Sequence, residues 1–162
     1  MSHDEFRDFV EVRYADLLRT AYLLTGTRHA AEDLVQTCLL RAMRRWDRID
    51  DPLAYLRRAM ANQRTSLWRR IRGAEVLAAT PPDRASADAS DAVAVRQSLL
   101  DALIRLPYRT RAVLVLRYWE DLSEADTAAV LGCSIGTVKS QASRGLARLR
   151  ETLDPAVTWR SS

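Results

Sequence analysis

Along most of this chain apolar residues recur every three or four positions, and no stretch shows the single alternation of a strand. Phe6, Phe9 with Val10, Tyr14, Leu17, Ala21 and Leu24 form a first helical stripe. Ser2 and Glu5 stand at its head with capping-box spacing, and Gly26 stops it. Thr27 can cap a second helix from residue 28 to about residue 46, striped by Val35, Leu39, Ala42 and Trp46. Asp50-Asp51-Pro52 ends that segment and opens the next, because proline fits a first helical turn. Apolar spacing is clear from Leu53 to Met60, falters through "ANQRTS" at 61–66, and resumes at Leu67, Trp68 and Ile71. This predicts a helix broken by a short polar loop, with a single kinked helix as the alternative.

Residues 73–90, "GAEVLAATPPDRASADAS", have no sustained apolar face and are rich in Ala, Pro, Ser and Asp, which predicts a flexible linker. A helix is expected over 91–106, and Pro107 opens another with Ala112, Leu116 and Trp119 inward. Ser123, with Asp126 three residues on, caps a short helix ending at Gly132. Ser134 caps the last, whose stripe of Ile135, Val138, Ala142, Leu146 and Leu149 predicts a buried face. The expected class is all-α: two small helical domains, 1–72 and 91–153, joined by a linker at 73–90 and followed by a tail at 154–162.

Charge distribution adds to this picture. The net charge of +4 decides little, but residues 56–72 hold six Arg and no acid, and residues 134–150 also lack acids. Two basic stretches separated by an acidic spacer suit a polyanion held at two places. The competing view is a pair of solvated helix faces. Cys38 and Cys133 lie far apart in apolar contexts, without metal-type spacing, and read as buried small hydrophobes. No cofactor or metal is called for. The N-terminus reads as no signal peptide, and the longest aliphatic run, 112–116, is far too short to span a bilayer, so a cytoplasmic protein without membrane insertion is expected.

The closing pair of helices, hinged at Gly132-Cys133-Ser134, has the form of a helix-turn-helix. Its second helix carries Thr137, Lys139, Ser140, Gln141, Arg144 and Arg148 as candidate DNA contacts. Arg and Lys suit phosphate or guanine, Gln can pair with adenine, and small hydroxyls reach phosphate oxygens.

The stretch "LIRLPYRTRAVLVLRYWEDLSEADTAAVLGCSIGTVKSQASRGLARLR", residues 103–150, resembles the promoter-reading fourth region of bacterial sigma factors of the extracytoplasmic-function group, in its actinobacterial sigma-E-like type. The resemblance implies a minus-35 interface carried by Lys139, Ser140, Gln141 and Arg144, and a contact with the flap of the polymerase beta subunit. Gln141 stands where the family usually has Arg, so its preferred base is expected to differ, toward adenine. "HAAEDLVQTCLLRAMRRW", residues 29–46, resembles the family's helix that docks on the beta-prime clamp helices, implying Asp33, Gln36, Arg41, Arg44 and Arg45 as polymerase contacts. Thr37 departs from the usual Glu there. "DPLAYLRRAMANQRTSLWRRIR", residues 51–72, resembles the minus-10 segment. Asn62 matches the position lining a pocket for a flipped base, Ser66 stands where Asp or Asn is frequent, and Arg57, Arg58, Arg64, Arg69 and Arg70 can hold phosphates. Trp68 suits either a base stack or the core.

These features imply a specificity subunit that recruits core RNA polymerase to promoters and helps melt them, with an anti-sigma factor as an implied further partner. A repressor acting on duplex DNA alone would need a sensor or dimerisation domain where residues 1–72 instead read as a second basic module. An enzyme is disfavoured: His3 and His29 sit in no triad or metal arrangement, no phosphate-binding glycine loop occurs, and adjacent Glu32 and Asp33 splay to different helix faces.

Overall fold

The computed structural model describes residues 3–63 and 91–153. The readings placed on Ser2, on 73–90 and on the tail lie outside them, as do those on Arg64, Ser66, Trp68, Arg69 and Arg70. The chain divides into two compact units, Met1–Arg84 and Ala85–Ser162. Seven α-helices and no strand occur among the described residues.

In the first unit, α1 (His3–Thr25) packs along α2 (Arg28–Met43), and α2 packs on α3 (Pro52–Ala61). Gly26, at φ 87°, takes the left-handed conformation that turns the chain between α1 and α2. Thr27 caps α2 by accepting from the Ala30 amide, and Asp51 caps α3 by accepting from the Ala54 amide. The core consists of Leu17, Ala21, Leu24, Leu34, Val35, Cys38, Leu56 and Met60. Ala21, Ala31 and Ala42 are fully buried, and side chains this short let helix backbones approach closely. One expectation fails here. α2 ends at Met43, and Trp46 belongs to a separate 3-10 turn, Trp46–Arg48. Instead of extending the α2 stripe, its ring lies edge-on to Phe6 at 5.0 Å and tilted against Phe9 at 5.2 Å, closing the N-terminal end of α1.

The second unit contains α4 (Asp91–Ile104), α5 (Tyr108–Leu114), α6 (Glu124–Leu131) and α7 (Ile135–Thr152). α4, α5 and α6 all pack against α7. Leu100, Leu103, Leu106, Ala112, Val113, Leu116, Ala128, Leu131 and Val138 are buried between them. The last carbonyls of α4 and of the turn after it need partners, and Arg111 supplies them. Only 4% exposed, it donates from Nε to the Leu103 carbonyl at 2.9 Å and from Nη2 to those of Ile104 and Leu106 at 2.6 and 2.9 Å. A guanidinium at this end also complements the negative pole of the helix dipole.

α5 runs into a wide π-helical turn, Val115–Trp119, closed by the Glu120 amide donating to the Val115 carbonyl. That turn holds one residue more than an α turn, so side chains beyond it are rotated back by about 100°. Trp119, expected inward with Ala112 and Leu116, is for this reason 53% exposed, next to exposed Tyr118. A second expectation also fails. Ile135 is exposed rather than part of the buried stripe, and Ala142 and Leu146 are half-buried. At the first position of α7 the Cα–Cβ bond leans off the helix N-terminus, where no neighbour covers it.

Candidate nucleic-acid interface

Three local devices fix the orientation of α7. Ser123 caps α6 by accepting from the Asp126 amide, and Gly132 ends α6 at φ 66°. Ser134 then caps α7, its Oγ accepting from the Thr137 amide at 3.1 Å. The inward edge of α7 is carried by Val138, Gly145 and Leu149. Gly145 is required there: a β-carbon on it would stand 2.9 Å from both Leu114 Cδ1 and Thr110 Cγ2.

Opposite that edge, Gly136, Ser140, Ser143 and Ala147 form an exposed ridge of short side chains. Arg144 and Arg148 flank it on one side, Lys139 and Arg150 on the other, all exposed. Five residues of α-helix turn through about 140°, so Lys139 and Arg144 straddle the ridge instead of sharing one line. No acid stands on α7 before Glu151. Short side chains at the centre let a helix backbone enter a groove, and cations at the margins meet the phosphates bounding it. Ser143 and Ala147 were not among the sequence-derived contacts. Counting helical angle outward from Val138 would have found them.

The structure alters three of the expected contacts. Gln141 is half-buried, and its Oε1 accepts a hydrogen bond from Thr110 Oγ1 at 2.6 Å. The Ser140 hydroxyl donates back to its own helix, to the Gly136 and Thr137 carbonyls at 3.1 and 3.2 Å. Thr137 is half-buried with its hydroxyl 2.9 Å from that of Ser134.

In the first unit, Asn62 is exposed at the C-cap of α3, its amide donating to the Arg58 and Met60 carbonyls. Arg58 is exposed and Arg57 half-buried on the same helix. Gln36 and Arg41 on α2, and Arg44 and Arg45 just past its end, are exposed. Asp33 is half-buried and lies 3.5 Å from His29 Nε2. Arg41 reaches across to the residue that follows Asn62, donating to Gln63 Oε1 at 3.0 Å. Leu40 and Met43, which polarity-based reasoning passed over, are 54% and 39% exposed on the stripe that holds Asp33 and Gln36. Cys38 is fully buried, and burial pushes its thiol up to about 12 although the neighbouring Arg41 guanidinium pulls it down. No group of His, Cys, Asp or Glu suited to a metal ion occurs among the described residues.

A basic helix-turn-helix in one helical unit and a loop-ended basic helix in the other are the parts of a bacterial promoter-recognition factor. Residues 9–73 match the family model Sigma-70 region 2, and residues 96–149 match Sigma-70, region 4. The chain is 46% identical over 153 residues to the RNA polymerase sigma-E factor of Streptomyces avermitilis, covering 93% of this chain and 86% of the relative. It is 34% identical over 148 residues to the ECF RNA polymerase sigma factor SigL of Mycobacterium tuberculosis, covering 86% and 83%. The solved structure of the sigma factor RpoE in complex with the anti-sigma factor NepR from Bartonella quintana superposes with a TM-score of 0.72 at 30% identity, covering 92% of this chain and 96% of that one. The chain belongs to the sigma-70 family, in its extracytoplasmic-function group of the sigma-E-like type. It is thus a transcription-initiation sigma factor, which binds core RNA polymerase, directs it to promoters and assists their melting.

Proposed function

We propose that α7 reads the minus-35 element through its ridge and flanks, with Arg144 and Lys139 reaching base edges or the nearest phosphates and Arg148 holding phosphate. The observation that carries this reading is the exposed, acid-free face of α7 with short side chains along its centre and cations on both margins. Asn62, beside Arg57 and Arg58, is the proposed holder of an unpaired minus-10 base, since its amide offers both a donor and an acceptor to a base edge released from pairing. Asp33, Gln36, Leu40 and Met43 form the proposed face for the beta-prime clamp helices, a mixed polar and apolar strip of the kind a helix pair can cover.

On this reading the protein works as a dissociable subunit without catalysis of its own, and it acts in the cytoplasm, where bacterial transcription takes place. Its two functional regions are 1–72 and 91–153, with 73–90 as the tether. An anti-sigma factor is a proposed inhibitor, on the similarity to the RpoE that is solved with NepR. Run-off transcription with purified core polymerase, on the chain's own upstream region, tests the reading. Arg144→Ala should relax promoter selectivity at one base pair of the minus-35 element while core binding persists. Asn62→Ala should leave both intact yet weaken opening, seen as reduced permanganate reactivity of unpaired thymines. Normal reactivity in that variant would place the pocket elsewhere.

A further inference from the structure

Thr110 stands on α5 and is 7% exposed, so it has no surface to offer DNA. It nonetheless holds one end of Gln141, on the flank of α7 that also carries Arg144 and Arg148. We infer that Thr110 sets the hydrogen-bond polarity with which Gln141 meets DNA, leaving this position able to donate only and unable to single out adenine. The inference rests on the DNA-reading role proposed for α7.

The geometry of Thr110 gives its hydroxyl little choice. Its two γ-substituents occupy different sites. The methyl Cγ2 lies over Gly145, where an added β-carbon would come within 2.9 Å of it, and Oγ1 lies 2.6 Å from Gln141 Oε1. Turning the hydroxyl away would require a rotation of about 120° to the next staggered well, which would lift the methyl out of the notch at Gly145. The carbonyl of Gln141, not its amino group, faces Thr110, and 2.6 Å is an ordinary O–H···O separation.

Adenine recognition needs the opposite arrangement. A glutamine grips adenine by accepting from N6 and donating to N7 at once, so its carbonyl and amino groups must both face the base edge. With the carbonyl turned into the α5–α7 contact, the two substituents of the planar amide cannot both face outward. The remaining N–H groups suit acceptors: a phosphate oxygen, the N7 that adenine and guanine share, guanine O6 or thymine O4, none of which singles out adenine. The adenine preference expected from residue type alone is therefore suppressed by a residue that touches no base.

The test is selection of upstream elements from a randomised minus-35 library by holoenzyme carrying the full chain. Gln141→Ala first identifies the base position that depends on Gln141. At that position the wild type should show no preference for adenine. Thr110→Val keeps the shape and the methyl packing but frees the amide, and should enrich adenine there by about fivefold or more, the lower end of a bidentate contact's worth. Thr110→Ser keeps the hydroxyl and should retain the wild-type pattern. A merely structural role for Thr110 would weaken all sequences alike and leave base preference unmoved. The inference is overturned if Thr110→Val selects as the wild type does, if the wild type already prefers adenine there, or if Gln141→Ala changes no position. Arg144→Ala serves as the separate check: should it also leave selection unchanged, the DNA-reading role of α7 itself has failed.

Discussion

Gly145 of α7 and Leu114 of α5 approach so closely that a β-carbon on residue 145 would stand 2.9 Å from Leu114 Cδ1. Leu114 is buried and cannot swing into solvent. Gly145→Ala gains up to about 1 kcal/mol of helix propensity. Overpacking of this kind costs about 1–3 kcal/mol, and the clash should win. Gly145→Val should be worse. Urea denaturation followed by circular dichroism would check both, and an unchanged midpoint in Gly145→Val would mean that α5 and α7 can separate freely.

Arg111 is a structural cation, whereas most other cations among the described residues face outward. Arg111→Met removes the side-chain donor from the carbonyls of Leu103, Ile104 and Leu106; Leu103 keeps the Leu106 amide at 3.0 Å, and a buried carbonyl left unsatisfied costs about 1–3 kcal/mol. Arg111→Lys restores a charge but not the fork that reaches three oxygens, so recovery should be partial. At temperatures where the variants remain folded, the salt dependence of promoter binding should match the wild type. A reduced salt slope would indicate that Arg111 also contacts phosphate.

Arg148 gives the contrasting result. It is exposed on the flank of α7, and Arg148→Ala should weaken binding to all promoter sequences alike, lowering the slope of log affinity against log salt by about 1. Arg144→Ala should instead lose about 1–3 kcal/mol of discrimination at one base pair. Filter-binding titrations over a salt series, on matched and mismatched elements, separate the two.

Leu40 supplies the apolar part of the proposed polymerase face. Leu40→Asp on an already exposed position should leave circular dichroism unchanged and weaken binding to core polymerase tenfold or more, the effect of removing a partly buried Leu contact worth about 1.5 kcal/mol and placing a charge there. Equal affinity, measured by fluorescence anisotropy with labelled chain, would leave this strip as ordinary surface.

Cys38 links stability to alkaline pH. Burial raises its thiol to about 12 in the folded chain, against 9.0 for a thiol in its ordinary setting. The contribution of this group is therefore whole below about pH 9 and is lost as pH rises toward 12, because the unfolded chain ionises first. Wild type should lose more stability between pH 8 and pH 10 than Cys38→Ala does. In the native state at neutral pH, Cys38 should resist alkylation until unfolding exposes it.

Much of this architecture is legible before any coordinates, because helix caps are local chemistry. Thr27, Asp51, Ser123 and Ser134 each accept from an amide three residues on, where side-chain type and spacing place them. The readings that failed all assume a perfect α period or treat polarity as exposure. Trp119 and Trp46 leave their stripes because the backbone changes pitch after Leu114 and stops being α-helical after Met43. Gln141 turns inward because a partner 31 residues earlier is placed against it by tertiary packing, and no local pattern records that. Gly145 is read correctly only once Thr110 and Leu114 are seen lying on it.

The wide turn at Val115–Trp119 has a consequence for edits to the length of the gene product. It holds one residue beyond what α pitch requires, so the chain has in effect already accommodated an insertion there. Removing a single residue from this turn, such as Tyr118, would tighten it to α pitch without rotating Ser123 and everything after it. The same deletion made in α6 or early in α7 would turn the reading face by about 100°. In a scan of single-residue deletions through 108–149, this turn is where viable products should cluster.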